Sequence, residues 1–207
     1  SYFLWATMPD AELRILADSG ELVKPAILAS QLARMLADPR SGEFISGFLD
    51  SWLNLRALGG MPPDRDTFKT YYSKGLEAAM RREVHLFTRN LIDGDRPVLD
   101  FLDADYTFLN APLAEHYGIG VDFEPAQAHV FKRVALTDRR RGGLLGMGSV
   151  LTVTANGIET SPVNRGVWVL ETILGTPPSP PPDEVPAIDP DVRGASTIRE
   201  LLGKHRD

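Results

Sequence analysis

Residues 74–92, KGLEAAMRREVHLFTRNLI, carry the pattern on which the fold turns. Leu76, Met80, Val84, Phe87 and Leu91 recur at steps of three and four, which gives a helix one apolar stripe along its whole length. Glu77 and Arg81 stand four apart on the wet side, and Gly94 supplies a stop. The spacing predicts a helix over Lys74 to Ile92, the longest in the chain. A helix with one apolar stripe needs neighbours to cover it, and the flanking sequence supplies them.

Upstream, residues 1–7 read as the end of a buried helix. Thr7-Met8-Pro9-Asp10 reads as a fresh start, with Thr7 as the cap and Leu13, Ile15 and Leu16 following. Pro25 opens a segment in which Leu28, Leu32, Met35 and Leu36 recur at helical spacing, and Asp38-Pro39 breaks it. Ser41 caps a helix whose apolar face is Phe44, Ile45, Phe48, Leu49, Trp52 and Leu53. Downstream, Leu99, Phe101 and Leu102 suggest a short helical turn. Asn110 with Pro112 starts another helix that ends near Gly118. The class is mainly α, a multi-helix array with short connections.

The texture changes after Gly118. Residues 119–128 read as a loop, and Val130, Arg133, Val134 and Leu136 as a short strand or extended arm. A turn at residues 138–143 leads into a soft helix, Leu144 to Val153; Asn156-Gly157 marks a turn, and Ser161-Pro162 opens a helix to Leu174. Pro177, Pro178, Pro180, Pro181, Pro182, Pro186 and Pro190 then favour extended polyproline II, able to span roughly 40 Å. The organisation expected is a helical module over 1–120, a smaller helical and irregular module over 121–176, and a Pro-rich linker with a short amphipathic helix (Thr197 to His205) over 177–207. The apolar start and the stiff tail both lead us to expect further chain on either side.

Composition excludes several function classes. The net charge is −6 and no basic face is evident, which argues against binding a nucleic acid backbone. No apolar run reaches the roughly 18 residues of a membrane span. Without cysteine, disulfides, zinc–thiolate sites and cysteine nucleophiles are excluded. His85, His116, His129 and His205 stand in no hydrolytic zinc pattern, and no metal site is expected.

Three stretches could carry chemistry. Asp103-Ala104-Asp105 begins like a calcium loop, but Phe108 and Ala114 stand where glycine and glutamate are required, so a turn between helices is expected there. Arg139, Arg140 and Arg141 could receive an anionic group. Asn156, Thr160, Ser161 and Arg165 belong to the densest polar stretch between two apolar helices, and are the candidate lining of a pocket. Ser149 and Ser161 lack a nucleophile-elbow pattern, and no catalytic residue can be assigned.

Five ordered strings carry a family resemblance: Tyr2-Phe3-Leu4-Trp5 with Met8-Pro9-Asp10; residues 34–40; residues 102–110; Arg140-Arg141-Gly142-Gly143 with residues 149–154; and residues 160–171 with the proline run. Together they resemble two consecutive uncharacterised modules of the large secreted planctomycete-type cytochrome-c-like proteins, over roughly 1–120 and 129–190. The resemblance implies a periplasmic or exported protein. Its c-type haem would lie in flanking domains of the same polypeptide, with no cofactor on this segment. It implies a scaffold supporting electron transfer or an oxidoreductase, with His205 as an axial haem ligand in the intact protein and Arg139 to Arg141 as partners for haem propionates. A second possibility is a non-catalytic module that binds a polysaccharide or a partner protein; exposed Trp5, Trp52 or Trp168 would favour it. A hydrolase is the weakest reading, with Asp103 and Asp105 the first residues to mutate.

Overall fold

A computed structural model describes residues 1–60 and 62–179, without the side chain of Arg139. The helices are α1 (Tyr2–Trp5), α2 (Ala11–Asp18), α3 (Pro25–Ala37), α4 (Gly42–Trp52), α5 (Lys69–Ser73) and α6 (Leu76–Asp93). Strand β1 (Tyr106–Leu109) precedes α7 (Ala111–Tyr117). Strand β2 (Lys132–Ala135) precedes α8 (Gly148–Val153) and α9 (Pro162–Trp168), which a widened π-type turn extends over Val169–Ile173. The fold is mainly α, with one two-stranded sheet among the described residues. Most of the proline tract, the segment Thr197 to His205 and His205 itself lie outside the described residues.

α6 is the axis of the molecule, and its predicted stripe is buried throughout: Leu76, Val84 and Phe87 are fully covered, Met80 and Leu91 nearly so. Its start differs from expectation. Gly75 takes a left-handed conformation, φ +61°, which ends α5 and lets α6 begin at Leu76 rather than Lys74. α4 packs on one flank of the axis, with Ile45, Leu49 and Leu53 against Val84, Phe87 and Leu91. On the other flank Leu109, Leu113 and Val134 meet Leu76, Ala79 and Met80.

Local chemistry explains the smaller elements. Asp10, not Thr7, caps α2, because it directly precedes the first helical residue and its carboxylate accepts from Leu13 N at 3.0 Å. Asn110 caps α7 in the same way at 3.1 Å, as its sequence pattern anticipated. The turn expected around Asp103 to Thr107 becomes strand from Tyr106 onward. Tyr106 pairs with Ala135 and Leu109 with Lys132 in antiparallel register. The soft helix over Leu144 to Val153 is broken. A 3-10 turn, Leu144–Gly146, is followed by extended Met147 and then α8. A side chain at Gly143 would lie 2.6 Å from the Leu102 backbone, so the chain enters this segment pressed against a preceding turn.

The core extends across the boundary expected at 120–128. Leu144, Met147, Val150 and Trp168 share one apolar cluster with Leu49, Phe87 and Tyr106. Trp52 Nε1 donates to Thr172 O at 2.9 Å, tying the last helical turn to α4. A smaller cluster lies toward the N-terminus, where Trp5 packs with Leu13 and Met35. Trp5, considered above as an exposed recognition residue, is buried. Its indole N–H donates to Met35 O at 2.9 Å, and the Arg40 guanidinium covers its ring at 3.6 Å. Trp168 is buried as well.

Candidate functional site

A cavity of about 340 Å³ opens where α5, α6, the end of α7, α8 and the segment 155–165 converge. Met80 and Tyr71 come from the inner faces of α6 and α5, Leu151 and Thr152 from α8, and Thr160 and Arg165 from the polar stretch singled out in the sequence. Two loops close its rim, with Asp64 N donating to Gly157 O at 2.8 Å. The Tyr72 hydroxyl donates to Pro63 O, one residue before Asp64, and holds the same point of the first loop to α5.

The four candidate pocket residues separate here. Arg165 lies between two hydroxyls, donating from Nε to Thr154 Oγ1 at 3.3 Å and from Nη2 to Thr160 Oγ1 at 2.9 Å. Thr154 is itself buried and anchored by its hydroxyl to Val150 O at 2.7 Å. Asn156 shapes the adjoining turn instead: its Oδ1 accepts from Ile158 N at 3.0 Å and Glu159 N at 2.7 Å. Ser161 precedes α9 without a side-chain cap bond and is not in the cavity wall.

The two arginines of the run whose side chains are described turn to different partners. Arg140 pairs with its own neighbour Asp138 at 2.6 Å, and that pair holds the Asp138 carboxyl below its usual range. Arg141 lies over the Tyr117 ring at 4.1 Å and donates to Gly146 O at 3.2 Å. The Arg139 side chain and His205 fall outside the described residues. Asp103 and Asp105 sit beside Asp100, Arg96 and Tyr106 in a separate hollow. Among the described residues no three His, Cys, Asp or Glu groups converge as they would around a metal ion. Ser149 is fully buried, with no base bonded to its hydroxyl.

A residue not anticipated from the sequence lies one turn along α6 from Met80. Glu83, 1% exposed, accepts from Thr107 Oγ1 at 2.6 Å and from the Tyr117 hydroxyl at 2.5 Å. Tyr117 Oη accepts in turn from Gly148 N at 2.6 Å, so one carboxyl links α6 to β1, α7 and α8. Burial pushes it up to about 7, against the two hydrogen bonds and the Arg141 charge, which favour ionisation. Burial also raises the Tyr117 phenol well above its ordinary value. The signal was present: Glu83 falls three residues after Met80 and four before Phe87, on the apolar stripe itself.

The residues present do not fit a covalently bound haem, because thioether attachment requires cysteine and the chain has none. Among the described residues no helix is long and apolar enough to cross a membrane. Residues 1–119 match the family model PSD4, a protein of unknown function (DUF1592), and residues 141–207 match PSCyt3, a protein of unknown function (DUF1588). These are planctomycete cytochrome-c-type domains, and the two occur in the order the five sequence strings implied; the second begins at 141 rather than near 129. No curated protein and no solved structure matches the chain.

Proposed function

Because the chain belongs to the PSD4 family of proteins of unknown function, followed by a PSCyt3 module, we propose that it is a rigid helical scaffold in an exported c-type cytochrome-like protein. In this reading it supports electron transfer or oxidoreductase chemistry carried by haem domains elsewhere in the same polypeptide. The observation that supports it is the shared core. Leu49 and Phe87 of the first module pack with Met147, Val150 and Trp168 of the region after residue 140, and Trp52 is bonded to Thr172. A body interlocked in this way can hold what is attached to it at a fixed distance and angle. That is the protein's share of redox chemistry done by a cofactor.

His205 is the residue proposed to ligate haem iron in the intact protein, and Arg139 to Arg141 the groups proposed to meet propionates. The test uses the parent polypeptide purified from the periplasm. His205→Ala should alter the ligand-field spectrum of one haem, whereas an unchanged spectrum removes that ligand assignment. Trp52→Ala, which cuts the bond to Thr172, should slow electron transfer between haems while leaving each haem's absorption and midpoint potential in place. An unchanged transfer rate would overturn the scaffold role, and a haem-free parent protein would overturn the redox reading.

A further inference from the structure

Arg165 differs from five arginines of this chain that are closely paired with a carboxylate. Arg34, Arg40, Arg81, Arg89 and Arg140 each have a carboxylate within 3 Å. Arg165 is half-buried, and among the described residues its hydrogen-bond partners are the hydroxyls of Thr154 and Thr160, with no carboxylate at ion-pair distance. Two neutral hydroxyls leave the positive charge uncompensated. They also hold the planar fork in one orientation through Nε and Nη2. A guanidinium fixed in that way is prepared for a planar anion, which it binds through two parallel N–H···O bonds.

The space beside it is of the opposite character. Phe68, Met80 and Leu151 give the cavity an apolar side, and Thr152 also lines it, with its hydroxyl 3.8 Å from Met80 Sδ. At about 340 Å³ it is at the small end of ligand cavities, so a compact molecule fits it and a polymer does not. Glu159 is exposed at the rim and opposes a second negative charge on the ligand. We propose that this cavity binds a small monocarboxylate with an apolar tail, the carboxylate on Arg165 and the tail against Met80 and Leu151. The inference is independent of the scaffold role, since it concerns a site inside one body.

The test titrates the full chain with 3-phenylpropionate, with 3-phenylpropanol (the same tail without the charge) and with acetate (the charge without the tail). Binding is followed by amide chemical shifts. The carboxylate with its tail should bind at least tenfold more tightly than either comparison compound and shift the amides of Thr152, Thr160 and Arg165. Arg165→Gln should weaken it tenfold or more, with Arg165→Lys between the two. Equal binding of the alcohol, undiminished binding by Arg165→Gln, or no shift at millimolar 3-phenylpropionate would each overturn the proposal. Should Arg165→Gln fail to fold, the comparison of the three compounds on the unaltered chain still decides.

Discussion

Glu83 is closed off from water and remains hydrogen-bonded on both oxygens, so its charge state follows the balance between burial and those bonds. Burial prevails and the carboxyl titrates near 7 instead of 4.5. The unfolded chain releases this proton around 4.5, whereas the folded chain keeps it up to about 7. Within that window the folded state binds more protons, so stability falls as pH rises, and the full cost is reached above 7. The shift corresponds to about 3 kcal/mol. Glu83→Gln removes the titration. Urea unfolding at pH 4 and pH 8 should therefore show the variant gaining about 3 kcal/mol on the wild type between the two conditions. A difference that does not change with pH would mean that Glu83 ionises alike in both states. The placement of Glu83 on the stripe was legible in the sequence, but its partners were not, since Thr107 and Tyr117 reach it from other elements. The same limit separates Arg165 from Asn156. Both are polar residues in one polar stretch, and only the folded loops show that one faces a cavity and the other ties a turn.

Two glycines bound the elements around α6 for different physical reasons. Gly75 needs its left-handed backbone, yet a side chain there would meet nothing within 4 Å. Gly75→Ala should cost about 1 kcal/mol, from backbone strain alone. Gly148 has an ordinary helical backbone, but an added Cβ would lie 2.7 Å from Tyr117 Oη and 2.8 Å from Met80 Cε. Gly148→Ala must displace the phenol from Glu83 and should cost about 2–4 kcal/mol. Thermal unfolding of the two variants ranks them, and equal losses would show that the close approach of α8 to α6 contributes nothing special. The same contrast sets what could be read in advance. α3, α4 and α6 are long enough for a 3.6-residue period to declare itself, and the cap at Asn110 has its own local chemistry, whereas Ser41, expected to cap α4, makes no cap bond and donates its hydroxyl to Leu36 O at 2.9 Å instead. β1 has four residues, too few for a period, and it becomes a strand only because β2 arrives beside it from twenty-odd residues away.

At the scale of the whole molecule, the family units and the packing units do not coincide. The PSD4 match ends at residue 119, while the apolar cluster around α6 is completed by Leu144, Met147, Val150 and Trp168, and β1 has its partner strand at Lys132–Ala135. Burying four such side chains contributes roughly 6–12 kcal/mol, which is comparable to the entire stability of an ordinary domain. A chain of residues 1–119 alone would leave Leu49, Phe87 and Tyr106 facing water and the edge of β1 unpaired. We expect that fragment to show helical far-ultraviolet circular dichroism without a cooperative urea transition and with poorly dispersed amide resonances, whereas residues 1–179 unfold in a single step. A sharp transition and native-like amide shifts from 1–119 alone would show that the first family module folds by itself. The contacts made after residue 120 would then be docking between two finished bodies, and the fixed geometry on which the scaffold role depends would have to come from elsewhere.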